Sequence, residues 1–296
     1  MQTMQAGYFK TAWEDIKNSP GWVGKVFLLA LVMLIPIFGQ IVLAGYLYGW
    51  ARDKAWGVHS PLPAHIFGNV DGKLYSRGFF VCVLGLVCAL VPFFVQILFD
   101  MFTGVSDSLY GWNSHQGAGP LLMISAFLGM LSLIFSVILS VAASFFLWVG
   151  SLRISVYDRL SAGFQFGKIW AMFRHDPNGL LRILGMNIIL VLVAGLLMSI
   201  AIFILIFVAF FFAMSLGMTG AASTMSDLGP AAMGFVGIIL LLVFVLLLIG
   251  GYLFSAFMVF TEMLTARALG YWMLQFEVPA WRGQDDPMPF ELRERS

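Results

Sequence analysis

Charge is scarce in this chain. Asp, Glu, Lys and Arg make up 10% of its 296 residues, where a soluble domain carries roughly 25%. Such a chain has too little polar surface to stay dispersed in water, so lipid is the solvent to expect. The formal net charge is only +1, which gives nucleic-acid binding no electrostatic support. Cysteine is limited to Cys82 and Cys88, both inside an apolar run. That excludes a disulfide framework and a cysteine-based zinc site. Among the four histidines, His59 and His65 share a linker, but neither cysteine nor a third histidine joins them at ligand spacing. A zinc-protease helix motif, a phosphate-cradling glycine loop and a nucleophile elbow are also missing. No cofactor or metal site is expected, and the chain reads as non-enzymatic. A cleavable signal peptide is not evident either. The first apolar run begins only at Trp22 and continues to Trp50, too long for a signal core.

What is present is a succession of long apolar runs separated by short basic linkers. Residues 6–20 place Phe9, Trp13 and Ile16 at helical spacing among Lys10, Glu14 and Lys17, which predicts a small helix in the membrane interface. The run 26–51 is interrupted by Pro36 and Gly39, so it is either one kinked span or a re-entrant pair of half-length helices. Gly78 to Phe99 is uncharged and long enough to cross once. A loop is expected at 100–119, with Asp107, Tyr110, Trp112 and His115. The next span ends before Arg153. A linker, 152–182, follows, and Asp176 to Gly179 turns the chain back into the bilayer. Residues 183–226 carry no charge; they read as one long span with an outer loop at 213–230, or as two short spans. The last span, 231–260, leads into another aromatic–basic stretch and a tail, 282–296, expected to be disordered and cytoplasmic. The fold class is therefore all-α: one polytopic helical membrane domain over 1–296, with about five to six membrane segments.

Charge also orients the chain. All basic residues fall in the N-terminal arm, in 52–77, in 152–182 and after Glu262, whereas the loops 100–119 and 213–230 hold only acids. Basic residues accumulate on the cytoplasmic side, which places 52–77, 152–182 and the C-terminus there. The N-terminal arm joins them only if 26–51 is re-entrant.

The stretch LIPIFGQIVLAGYLYGWARDKAWG at 34–57 and PLPAHIFGNVDGKLYSRG at 61–78 resemble a prokaryotic membrane-protein family, domain-of-unknown-function family 4013. The resemblance rests on the proline–glycine break, the Gly-Tyr before an Arg-containing helix end, the Leu-Pro, and the Asp-Gly turn before the next span. It implies a multi-pass protein of the prokaryotic cytoplasmic membrane and carries no catalytic residues. An internal repeat of span, amphipathic linker and span is consistent with it, at 40–99 and 140–205, with a third partial copy at 251–281.

Uncharged polar residues supply the remaining candidates. Ser132, Ser136, Ser140 and Ser144 recur every four residues, a face on which another helix can pack closely. Gln40, Gln96 and Asn187 are candidates for hydrogen bonds between helices. Arg153, Arg159, Lys168, Arg174 and Arg182, interleaved with aromatics, are expected to meet anionic headgroups. The leading functional expectation is membrane organisation, or a membrane subunit with a membrane or cytoplasmic protein partner. Two others stay open: a permease for a neutral or amphiphilic small molecule, lined by Gln96, Asn187 and the serines, and a lipid-processing enzyme using Asp158 and Asp176.

Overall fold

A computed structural model describes residues 7–68, 71–111, 119–218 and 230–293. The described residues contain helices and turns and no strand. In order, the helices are α1 (Tyr8–Lys17), α2 (Trp22–Met33), α3 (Phe38–Ala55), α4 (Leu74–Gly111), α5 (Gly119–Tyr157), α6 (Leu160–Gly163), α7 (Phe166–His175), α8 (Pro177–Met218), α9 (Pro230–Met273) and α10 (Pro289–Arg293). Four of them, α4, α5, α8 and α9, contain segments long and apolar enough to cross a membrane, and α2 is a shorter apolar helix. The protein is an all-α, polytopic membrane protein.

The long helices are longer than a bilayer requires. They hold 38, 39, 42 and 44 residues, or about 57–66 Å at a rise of 1.5 Å per residue. A hydrocarbon core is about 30 Å thick, so each helix continues well past it. The loop expected at 100–119 is shorter than the sequence suggests, because α4 runs on to Gly111. Between Phe99 and Gly111 no proline stops the helix, and Gln96 donates to Asp100 one turn on. Trp112 and His115 lie outside the described residues. Residues 183–218 belong to one continuous helix, α8. The remainder of the expected loop, 219–229, is outside the described residues.

The break in the first apolar run is real. Leu34 N–H and Ile35 N–H close the last turn of α2 onto the carbonyls of Leu31 and Val32. Pro36 has no N–H to continue the ladder, and Ile37 takes a left-handed φ of 64°. Gly39 then returns so close to Val32 that a Cβ would strike its carbonyl oxygen. At 12 residues, α2 is about 18 Å long and does not cross a bilayer by itself.

Contacts divide the chain into two compact units. The first combines residues up to Gly39 with Arg182–Thr265. Here α1 buries Ala12 and Ile16 and leaves Lys10, Glu14 and Lys17 exposed. Trp13 sets its edge against Trp22 at 5.4 Å and Phe260 at 5.6 Å. Tyr252 O–H donates to the Phe27 carbonyl at 2.8 Å.

The second unit combines Gln40–Leu181 with Ala266–Ser296. In it α3 and α4 touch backbone to backbone. A Cβ on Gly45 would overlap the carbonyl of Leu74, and one on Gly78 would overlap that of Ile41. Only two glycines facing each other permit this approach. The N-terminus of α8 is built by Asp176, whose carboxylate accepts from Gly179 N–H at 3.0 Å, with Pro177 in the first helical position.

Candidate functional site

The charged residues of the second unit gather where the long helices leave the apolar segments. Arg52 sits in the last turn of α3, Arg77 in the first turn of α4, and Asp71 in the turn between them. Asp71 accepts from Arg52 Nη1 at 2.6 Å and from Arg77 Nη2, and its other oxygen accepts from Lys73 N–H at 3.2 Å. Asp158, directly after α5, pairs with Lys73 at 2.9 Å and lies 3.5 Å from Arg77. Burial by itself would raise the Asp71 carboxyl; Arg77, then Arg52, overcome that and hold it down at about 2. The Arg77 side chain is fully buried, and its Nε and Nη1 have no hydrogen-bond partner. The guanidinium is thus held through Nη2.

Two further buried arginines are held differently. Arg267, on α9, donates to the carbonyls of Trp50 at 3.2 Å and Ser60 at 3.3 Å, and lies 4.3 Å above the Trp50 ring. Trp50 Nε1 donates to the same Ser60 carbonyl at 3.1 Å. Lys54 Nζ sits 4.2 Å over Tyr271 and 2.8 Å from His59 Nε2. Arg153, on α5, donates to the carbonyls of Ala162 and Gln284, both at 3.2 Å, and to Gln165 Oε1. The rings of Tyr157 and Trp281 flank it at 5.4 and 5.6 Å. Moving a cation out of water is costly unless its donors are satisfied. Carbonyl oxygens and aromatic faces do that here, a setting that suits the flat guanidinium fork.

The C-terminal segment completes this layer, contrary to the disorder expected for it. Tyr157 O–H donates to Gly283, Ser161 to Gln284, Gln165 to Asp285, and Lys168 pairs with Glu291 at 2.8 Å. Met288 and Phe290 are buried, and Phe290 lies 4.7 Å from the ring of His175. Two buried apolar anchors, absent from any periodic pattern, hold residues 282–293 in place. Residues 294–296 lie outside the described residues.

The candidates named from sequence separate in the structure. Of the serine series only Ser132 is buried, and it donates across to Gln96 at 3.2 Å. Ser144 instead donates back to the carbonyl of Ser140, and Ser140 is exposed. Ser136 is half-buried. Asn187 donates to Thr265 Oγ1 at 3.0 Å, while Gln40 is exposed. Arg153, expected to meet headgroups, is 0% exposed, because the segment after Trp281 closes over it. Lys168 is engaged by Glu291, and Arg159, Arg174 and Arg182 are exposed. Asp158 is tied into the ion-pair network; Asp176 caps α8 and accepts from Gln275 at 3.0 Å. Among the described residues no group of three His, Cys, Asp or Glu is placed to hold a metal.

Sequence reading missed the buried cations Lys54, Arg77, Arg153 and Arg267 as a set. One signal was there. Arg52–Trp56, Arg153–Tyr157 and Arg267–Tyr271 each place an aromatic one turn after an arginine at the end of an apolar helix. Residues at i and i+4 share a helix face, and in the last two pairs the ring lies beside the guanidinium.

The comparisons with known proteins give one match. A family model described as a protein of unknown function (DUF4013) matches residues 28–203. No curated protein matches the chain, and no solved structure does.

Proposed function

The chain belongs to the DUF4013 family, proteins of unknown function, and on that premise we propose that it is a non-enzymatic scaffold of the prokaryotic cytoplasmic membrane. In this reading it organises the membrane locally, or serves as the membrane subunit of a larger assembly, with its C-terminus in the cytoplasm. The observation that carries the reading is the use made of its charge. Lys54, Arg77, Arg153 and Arg267 are all buried and hold linkers and helix ends together. The outer face of α7, in contrast, carries Phe166 and Trp170 exposed, with Arg174 one turn further on. An aromatic–basic face of that kind suits headgroups or a partner lying on them. The polar groups that a permease would place along a path are engaged with each other, Ser132 with Gln96 and Asn187 with Thr265. Asp158 and Asp176, which a lipid-processing enzyme would use, are likewise engaged in ion pairing and capping.

The test is lipid-retaining extraction from the native membrane, followed by mass spectrometry of what co-purifies. The expected result is a protein partner in fixed stoichiometry. Solute flux in sealed vesicles containing this chain alone, with no partner recovered, would replace the scaffold reading with the permease.

A further inference from the structure

The C-terminal segment covers donors at the end of α5 and along α7. We propose that the groove formed by the end of α5, by α6 and by α7 is a binding site for the phosphate headgroup of an anionic phospholipid, with the chain's own segment 284–291 as the competing occupant. The inference does not depend on the scaffold role, since it concerns one site and requires no protein partner.

The occupant itself suggests the ligand. Segment 284–291 contains Asp285, Asp286 and Glu291 and no basic residue. Its acceptors meet the donors of the groove: Glu291 meets Lys168 Nζ at 2.8 Å, Asp285 meets Gln165 Nε2 at 2.6 Å, and the Gln284 carbonyl meets Arg153 Nη2 at 3.2 Å. The match is incomplete at the most deeply placed cation. Arg153 is fully buried, yet its Nη1 donates only to the thioether of Met288, at 3.8 Å. A thioether is a weak acceptor. Among the described residues no carboxylate hydrogen-bonds to Arg153. A phosphodiester would offer charged oxygens where the segment gives Arg153 a carbonyl and a thioether, and arginine forms its strongest hydrogen bonds with such groups.

Position selects lipid over free phosphate. On α5, Phe146 stacks on Phe166 of α7 at 4.5 Å, and Phe145 lies 5.5 Å from Phe173. Phe166 is 65% exposed and Trp170 is 59% exposed. Exposed Phe and Trp on one face of a short amphipathic helix suit the membrane interface. Lys168 lies two residues from each of these rings, on the other side of the same short helix, so the donors sit within one helix diameter, ~10 Å, of the exposed aromatic face. The present occupant is anchored by the buried Met288 and Phe290, and its polar contacts add little to that. Partly exposed ion pairs contribute about 0–1 kcal/mol each, and α10, five residues long, has no stability of its own.

The experiment is hydrogen exchange of the full chain in nanodiscs of phosphatidylcholine, with phosphatidylglycerol added in steps. The amides of residues 284–293 should exchange at least tenfold faster once phosphatidylglycerol is present, with α4 and α5 unchanged. Glu291→Gln removes the partner of Lys168 and should at least halve the phosphatidylglycerol fraction needed. Inorganic phosphate at millimolar concentration, added to discs without phosphatidylglycerol, should leave the segment protected. Equal protection in both lipids overturns the proposal. Release by inorganic phosphate overturns the assignment to lipid.

Discussion

At the scale of single residues, this protein handles charge by enclosing it. Asp71 is the clearest case, because one carboxylate bridges two arginines, Arg52 and Arg77. Its folded pKa of about 2 lies below the ordinary 3.8. The stabilisation from these pairs is therefore complete above about pH 4 and is lost as pH falls toward 2. Solvent screens the partly exposed carboxylate, so the contribution is about 1–2 kcal/mol. Thermal unfolding of wild type and Asp71→Asn in detergent, at pH values from 6 down to 2.5, isolates it. The wild-type advantage should be present at pH 6 and shrink toward zero at the acid end; a constant difference would show that the ion pairs do not carry it. Arg267 gives a second expectation. Lys in its place reaches one carbonyl rather than two and loses the flat contact with Trp50. Arg267→Lys should cost about 1–3 kcal/mol, read as a lowered unfolding temperature. An unchanged melting curve would mean that charge alone matters there.

At the scale of elements, the tightest constraint is the crossing of α3 and α4. Gly45 and Gly78 each face the other helix's backbone, so an added methyl meets a carbonyl oxygen that cannot rotate away. Gly45→Ala and Gly78→Ala should each cost about 1–3 kcal/mol by overpacking, whereas Gly129→Ala, which meets open space, should be neutral in the same unfolding assay. Comparable losses at all three sites would indicate a general intolerance of alanine and not a crossing. The glycine pair also marks what the sequence makes legible. Spans are readable because twenty uncharged residues have no other stable use, and the break at Pro36 is readable because proline removes a donor. The partner of a glycine is not readable, since nothing in GYLYGW states that Leu74 lies against Gly45. Nor is the direction of an arginine. Arg153 and Arg174 sit in the same basic–aromatic linker, yet one is closed over by residues 281–288 and the other is exposed. The distinction comes from a segment more than a hundred residues away. That segment looks disordered in sequence because its anchors, Met288 and Phe290, follow no helical period.

At the scale of the whole molecule, contacts within the second unit bear on topology independently of charge counting. Lys73 reaches Asp158, Arg267 reaches Ser60, and residues 283–291 lie on Tyr157, Gln165 and Lys168. Linker 56–73, linker 158–176 and the segment after Phe276 must therefore share one side of the membrane, whichever side that is. The distribution of lysine and arginine then supports our proposal that this side is cytoplasmic. The two claims come apart experimentally. Single cysteines replace the exposed residues Gly68, Arg159 and Arg282, in a chain whose Cys82 and Cys88 are alanine, and are challenged with a membrane-impermeant maleimide. All three should stay unlabelled in intact cells and react in inverted vesicles. If all three reacted in intact cells, the shared side would stand and the charge argument would fall, because the basic layer would then face outward. If one reacted from outside while the others did not, the contacts would fail, since no chain can hold Lys73 against Asp158 across a bilayer about 30 Å thick. With the expected result, the buried arginines, the aromatic face of α7 and the docked segment all meet the cytoplasmic leaflet, where anionic lipid attracts basic groups.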